Sequence, residues 1–111
     1  MAGATILVLT QFPDQASAQT VARALVVARV AACVSVGAPV ESLYHWRGGI
    51  ETATEIPVTI RTAADRYRDV EAVIRAHHPY ELPEIVAVPL TDGLAPYLDW
   101  LIAETRPAVG G

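Results

Sequence analysis

Two adjacent histidines, His77 and His78, stand directly before Pro79, and Tyr80, Glu81 and Glu84 follow closely. Neutral imidazole is a good ligand for copper, zinc and nickel ions. On a regular helix neighbouring side chains point about 100° apart, so the pair does not converge unless the chain unwinds ahead of Pro79. A metal site also needs a third and usually a fourth ligand. Glu81 and Glu84 are near in sequence. His77 and His78 are therefore the metal-ligand candidates. No cofactor is required, and Cu(II) or another divalent cation is the ion they suit. The plain alternative is that His77 packs on the inner helix face while His78 caps the helix end or bonds the following turn.

A second set of candidates, for ligand binding, is Trp46, Arg61, Tyr80, Glu81 and Glu84. Carboxylates, a guanidinium and aromatic faces suit a small polar ligand. The alternative for the same residues is an ion pair with aromatic packing that only holds subunits together. Cys33, the one cysteine, lies in a Val-rich segment, where a lone thiol is ordinarily a small buried hydrophobe. Catalytic residues are not identified. There is no Ser-His-Asp or Cys-His arrangement and no glycine-rich phosphate cradle. The expectation is that the chain is not an enzyme.

These residues must be positioned by a chain of 111 residues with 52% hydrophobic content and net charge −4. That length suits a single domain over residues 1–111. All eight basic residues are Arg, and they are scattered rather than gathered in a stripe, which argues against nucleic acid and against an anionic membrane surface. One cysteine forbids an intrachain disulfide and fits a reducing compartment. The N-terminal apolar run is too short to span a bilayer and has no basic segment ahead of it. The expected location is the cytoplasm.

Ala4 to Gln11 reads as a strand with apolar residues at both parities, Ile6-Leu7-Val8-Leu9, so both its faces should be covered. Asp14 caps a helix running to about Val30, with Ala18, Val21, Ala22, Leu25 and Ala28 on one face. Cys33 to Trp46 is a strand interrupted by Gly37-Ala38-Pro39. Arg47-Gly48-Gly49 turns it into Ile50 to Thr62, where Ile56, Val58 and Ile60 alternate. Pro57 is out of place in a strand unless it sits at a bulge. A second helix spans Ala63 to about His77, with Tyr67, Val70, Ile74 and His77 on one face, and stops before Pro79. Glu84 to Thr91 is another strand. A last helix covers Ala95 to Glu104, with Leu94, Tyr97, Leu98 and Leu101 inward. The end, Val109-Gly110-Gly111, reads as a frayed tail.

The order β-α-β-β-α-β-α is the split β-α-β, ferredoxin-like α/β (α+β) arrangement. Right-handed crossovers place both main helices on one face of the sheet. The other face would then leave Val and Ile in water, each costing roughly 1.5–3 kcal/mol relative to burial. The interrupted strand would span roughly 45 Å if straight, against a diameter of about 34 Å for a compact chain of this length. A long β-hairpin should therefore protrude, carrying Tyr44, Trp46 and Ile50 toward a neighbour, or else fold back on its own sheet. Both features point to a homo-oligomer.

The stretches Ala32-Cys33-Val34, Leu43-Tyr44-His45-Trp46-Arg47-Gly48 and Ile60-Arg61-Thr62 resemble a known family. So do His77-His78-Pro79-Tyr80-Glu81-Leu82-Pro83-Glu84-Ile85, the later Pro89, and Pro96-Tyr97-Leu98-Asp99-Trp100-Leu101. The sequence is similar to the CutA family of divalent-ion tolerance proteins over roughly Ile6 to Leu101. The resemblance implies a ferredoxin-like subunit in a tight homotrimer, with a quaternary form like that of the PII signalling proteins. It also implies tolerance of copper and other divalent metals by weak binding or sensing, with no established catalysis. The alternative it leaves is a PII-like trimeric scaffold with a small ligand at subunit boundaries and an unidentified protein partner. Four positions depart from the pattern. Thr10 stands where some members have a cysteine proposed to bind copper with the histidine pair, Arg61 replaces a frequent Lys, Ser35 replaces a frequent Asn, and Pro57 is unusual.

Overall fold

Alternation along the chain is what sorts its residues into layers. In a computed structural model, residues 3–107 are described, so the tail expectation at Val109–Gly111 lies outside them. Strand β1 (Thr5–Phe12) sends Ile6, Val8, Thr10 and Phe12 to one face, all buried, and Leu7, Leu9 and Gln11 to the other, where they are half-buried. Helix α1 (Gln15–Val27) opens with Asp14, whose carboxylate accepts the Ser17 amide at 2.8 Å, and buries Ala18, Val21 and Leu25 on that first face. It stops three residues before Val30. Arg29 adopts φ 59°, the left-handed closure usually given to glycine, and the Val30 and Ala31 amides return to the Leu25 carbonyl. Ala28 is consequently exposed.

The long second strand is two pieces, β2 (Cys33–Val36) and β3 (Val40–Trp46), both antiparallel to β4 (Gly49–Ala63). Pairing changes from Val36 opposite Val58 to Val40 opposite Glu55, so Gly37–Pro39 holds one residue more than the strand it faces. Pro57 sits opposite that break. Its carbonyl accepts the Gly37 amide at 2.8 Å, and N and C=O of one strand residue point the same way. The missing N–H of Pro57 thus falls where the facing strand is interrupted, and Pro57 stays in register with Gln11 of β1. The bulge lies across from the proline rather than at it. Arg47 (φ 51°) and Gly48 (φ 81°) make the tight turn between β3 and β4, the double positive φ that matches strand twist.

A short 3-10 turn, Ala64–Arg66, precedes helix α2 (Tyr67–His77), so the regular helix begins later than Ala63. Val70 and Ile74 are buried, Tyr67 is half-buried and His77 is exposed. Strand β5 (Ile85–Leu90) pairs with β1, giving the order β2-β4-β1-β5 with β3 continuing along β4. This is the ferredoxin-like arrangement. The core lies between the sheet's first face and α1 and α2.

Helix α3 (Ala95–Glu104) changes one expectation. The helices do not all lie on one face. Gly93, Tyr97 and Leu98 share a cleft of about 300 Å³ with Leu7, Thr59 and Arg61, on the sheet's second face. Leu101 is fully buried, but Leu94 is 73% and Tyr97 40% exposed, so the inward face is narrower than the sequence spacing implies. A Cβ on Gly93 would lie 3.0 Å from the Leu98 side chain, which would have to shift to accept it. The end of α3 is fastened by Arg106, which donates to both oxygens of Asp65 at 2.7 and 2.8 Å. That pairing holds the Asp65 carboxyl below its ordinary range. What α3 leaves open on the second face is β5, where Val86 and Val88 are 46% and 42% exposed. The molecule measures 50 × 31 × 23 Å. The hairpin supplies the length, because β4 runs on past Ile56, the last residue paired with β1. Among the described residues no helix is long and apolar enough to cross a membrane.

Candidate functional site

Proline at position 79 ends α2, and the segment 78–84 that follows crosses the end of β1 beside the projecting hairpin. His78 anchors it. The Tyr80 amide donates to His78 Nδ1 at 3.2 Å, which leaves Nε2 carrying the proton and donating to the Gln11 carbonyl at 2.6 Å. The ring packs between Phe12 and Tyr80, with centroids 4.2 and 4.6 Å away. Both nitrogens of His78 are thus engaged in holding the loop to β1. His77 Nδ1 lies 2.9 Å from the Val73 carbonyl of its own helix. Its Nε2 is the one ring nitrogen of the pair without a partner among the described residues. The rings therefore do not present converging lone pairs, and His77 does not pack inward. No group of three or more His, Cys, Asp or Glu among the described residues is placed to hold a metal ion.

Between this segment and the hairpin lies a cleft of about 640 Å³, lined among others by Gln11, Tyr44, Trp46, Glu55, Tyr80 and Glu84. Four of the five expected ligand residues meet there: Trp46, Tyr80, Glu81 and Glu84. Arg61 does not. It lines the smaller cleft under α3, and its Nη1 donates to Ser35 Oγ at 3.0 Å and to Cys33 Sγ at 3.3 Å. Arg47 takes up the charge of Glu81 instead, at 2.7 Å, and lies 5.4 Å from the Trp46 ring centre. Gln11 Nε2 donates to Glu84 at 3.4 Å, while Gln11 Oε1 is buried with no hydrogen-bond partner among the described residues. Thr10 Oγ1 is also buried and without a partner among the described residues, on the core side of β1.

Glu55 is the residue the sequence reading missed. It is only 9% exposed, a carboxylate held against the cleft. Tyr80 faces it, and its hydroxyl pKa is pushed up to about 12, first by burial and then by its hydrogen bond to Glu55 and that carboxylate's charge. The signal was present, since Glu55 stands directly before the apolar run Ile56-Pro57-Val58 of the same strand. A group whose pKa is raised on folding stabilises fully below its unfolded value, near 10, and loses that contribution as pH climbs through the folded value. Alkaline unfolding followed by circular dichroism should therefore show stability falling between pH 10 and about 12. Tyr80→Phe should reduce that fall and leave the part contributed by Tyr67, whose hydroxyl pKa burial also raises, and an unchanged alkaline profile in the variant would contradict the assignment.

The comparisons agree with this architecture. The family model described as CutA1 divalent ion tolerance protein matches residues 6–104. The divalent-cation tolerance protein CutA of Escherichia coli (strain E24377A) is 34% identical over 103 residues, 93% of this chain and 92% of its own length. The crystal structure of CutA from Xylella fastidiosa superimposes with TM-score 0.89 at 39% identity, covering 92% of this chain and 98% of that one. The divalent cation tolerance protein of Thermus thermophilus gives TM-score 0.90 at 36% identity, covering 92% and 99%. A relative from Archaeoglobus fulgidus, 30% identical with TM-score 0.89 and covering 92% and 99%, is described as periplasmic. With a family model spanning nearly all of the described chain and relatives above 30% identity along their whole length, this chain belongs to the CutA1 divalent ion tolerance family.

Proposed function

We propose that the chain acts as a homotrimeric divalent-cation tolerance protein of the cytoplasm, binding Cu(II) or another divalent ion weakly, or sensing it, without catalysis of its own. Family membership supports the tolerance role. The observation that carries the assembly is the uncovered β5 side of the second face. There Val86 and Val88 stay exposed, and Tyr97, stacked on Trp100 at 5.7 Å, shares a cleft with Leu90. A partner copy hides such a surface.

For the ion, His77 offers an exposed Nε2, and His78 joins only by giving up its bond to Gln11 or to Tyr80. That cost is consistent with weak binding. Titration with Cu(II) by calorimetry should show it. The double variant His77→Ala, His78→Ala should weaken it about tenfold or more, the scale on which groups supporting a metal act. Unchanged binding in a folded double variant would remove the pair from the site. The PII-like alternative has no observation of its own and is carried no further.

A further inference from the structure

The charged groups that line the large cleft are mainly carboxylates. Glu55, Glu81 and Glu84 bring carboxylates, and the buried Gln11 Oε1 adds an acceptor without a donor. Glu81 is neutralised by Arg47. Neither Glu55 nor Glu84 has a cationic partner among the described residues, and Glu55 is nine-tenths buried. A buried carboxylate is costly unless paired. Arg61, which would have supplied the positive charge, lies in the other cleft. What Glu55 and Glu84 lack is therefore a positive charge, and the rings of Tyr44, Trp46 and Tyr80 beside them offer faces on which apolar atoms can lie.

A compact metal ion does not answer this need, because it requires donors gathered around one point. The described carboxylates are instead spread along a cleft of about 640 Å³. A cation whose charges are themselves spread along a short chain fits better. We infer that the cleft binds a small aliphatic amine in its protonated form, and a diamine more tightly than a monoamine. One ammonium group lies against Glu55 and the Tyr80 hydroxyl. The other lies against Glu84 and donates to Gln11 Oε1. The methylenes between them rest on the aromatic rings. The inference goes beyond the proposed metal tolerance and is independent of whether the histidines take copper.

The test is calorimetric titration of the full chain with putrescine, butylamine and butyrate. At about pH 8 alkylamines are charged. Putrescine should bind, butylamine about tenfold more weakly, and butyrate not at all, since each charge-assisted contact carries roughly that factor. Glu84→Gln is exposed and keeps its shape, and it should weaken putrescine about tenfold. Glu55→Gln should do the same where circular dichroism shows the fold intact. Putrescine behaving like butyrate, butylamine binding as tightly as putrescine, or an affinity unmoved by Glu84→Gln overturns the proposal. Failure of Cu(II) to bind leaves this result standing, so the two readings fail separately.

Discussion

Val88→Asp is expected to leave the purified chain as lone subunits of 11.8 kDa, and the native sequence is expected to size at three times that mass. Val88 lies opposite Leu7 on β1, on the second face of the sheet, and is 42% exposed in the isolated subunit. The valine there is tolerable in water, but an interface that covers it would have to bury an unpaired carboxylate. Breaking charge balance in a buried setting costs about 3–5 kcal/mol per site, and a three-fold assembly repeats the cost at every contact. The folded subunit itself should be little affected, because Val88 takes no part in the core between the sheet and α1 and α2. Multi-angle light scattering at micromolar concentration gives the answer, with circular dichroism confirming the fold. A native chain that sizes as one subunit would remove the trimer, and an aspartate variant that stays trimeric would move the interface away from β5.

The second large effect concerns the root of the cleft. Phe12→Ala should lower stability by about 3–5 kcal/mol, the range for deleting a buried aromatic ring. Phe12 has no exposed surface, and it also carries the His78 ring at 4.2 Å. The substitution therefore acts twice. It opens a hole beneath β1 and loosens the imidazole that ties segment 78–84 to the Gln11 carbonyl. Urea unfolding measures the first effect. Amide exchange at Tyr80, whose N–H bonds His78, measures the second. A loss below about 1 kcal/mol, outside the usual range for such truncations, would show that the site collapses without a cavity. Protection of Tyr80 equal to that of the native chain would show that His78 holds the loop unaided.

Most of the fold was legible because its elements are written in period. The alternation of Ile56, Val58 and Ile60, and the helical spacing of Ala18, Val21 and Leu25, are direct images of burial. Errors came where tertiary geometry overrode spacing. Helix α1 stops early because Arg29 accepts a left-handed backbone that no propensity rule assigns to arginine. Helix α3 was given a wide apolar face, yet only Leu101 is fully buried, because the helix lies across the second face and the end of the sheet. The cleft was half legible. Trp46, Tyr80, Glu81 and Glu84 converge as motif residues should. Arg61 has the same parity as Glu55 on β4, but six residues separate them, roughly 20 Å along a strand. Arg61 therefore faces Leu7 and Cys33 while Glu55 lies opposite Val40 on the hairpin. Parity reveals the side of a sheet and says nothing of the distance along it. The histidine pair shows a different limit, since adjacency in sequence cannot reveal that Gln11, far away in the chain, already occupies one imidazole.

The interruption at Gly37–Pro39 divides the molecule into a body and an arm. Ser42 to Trp46 belong to the arm, while Gln11, Tyr80 and Glu84 belong to the body, and the cleft is the gap between them. Across the joint itself, Gly37 donates to the Pro57 carbonyl, and the proline offers no amide in return. The width of the cleft's mouth is therefore set by the angle at which the arm leaves the body near Pro57, and a rotation there would be magnified along the arm.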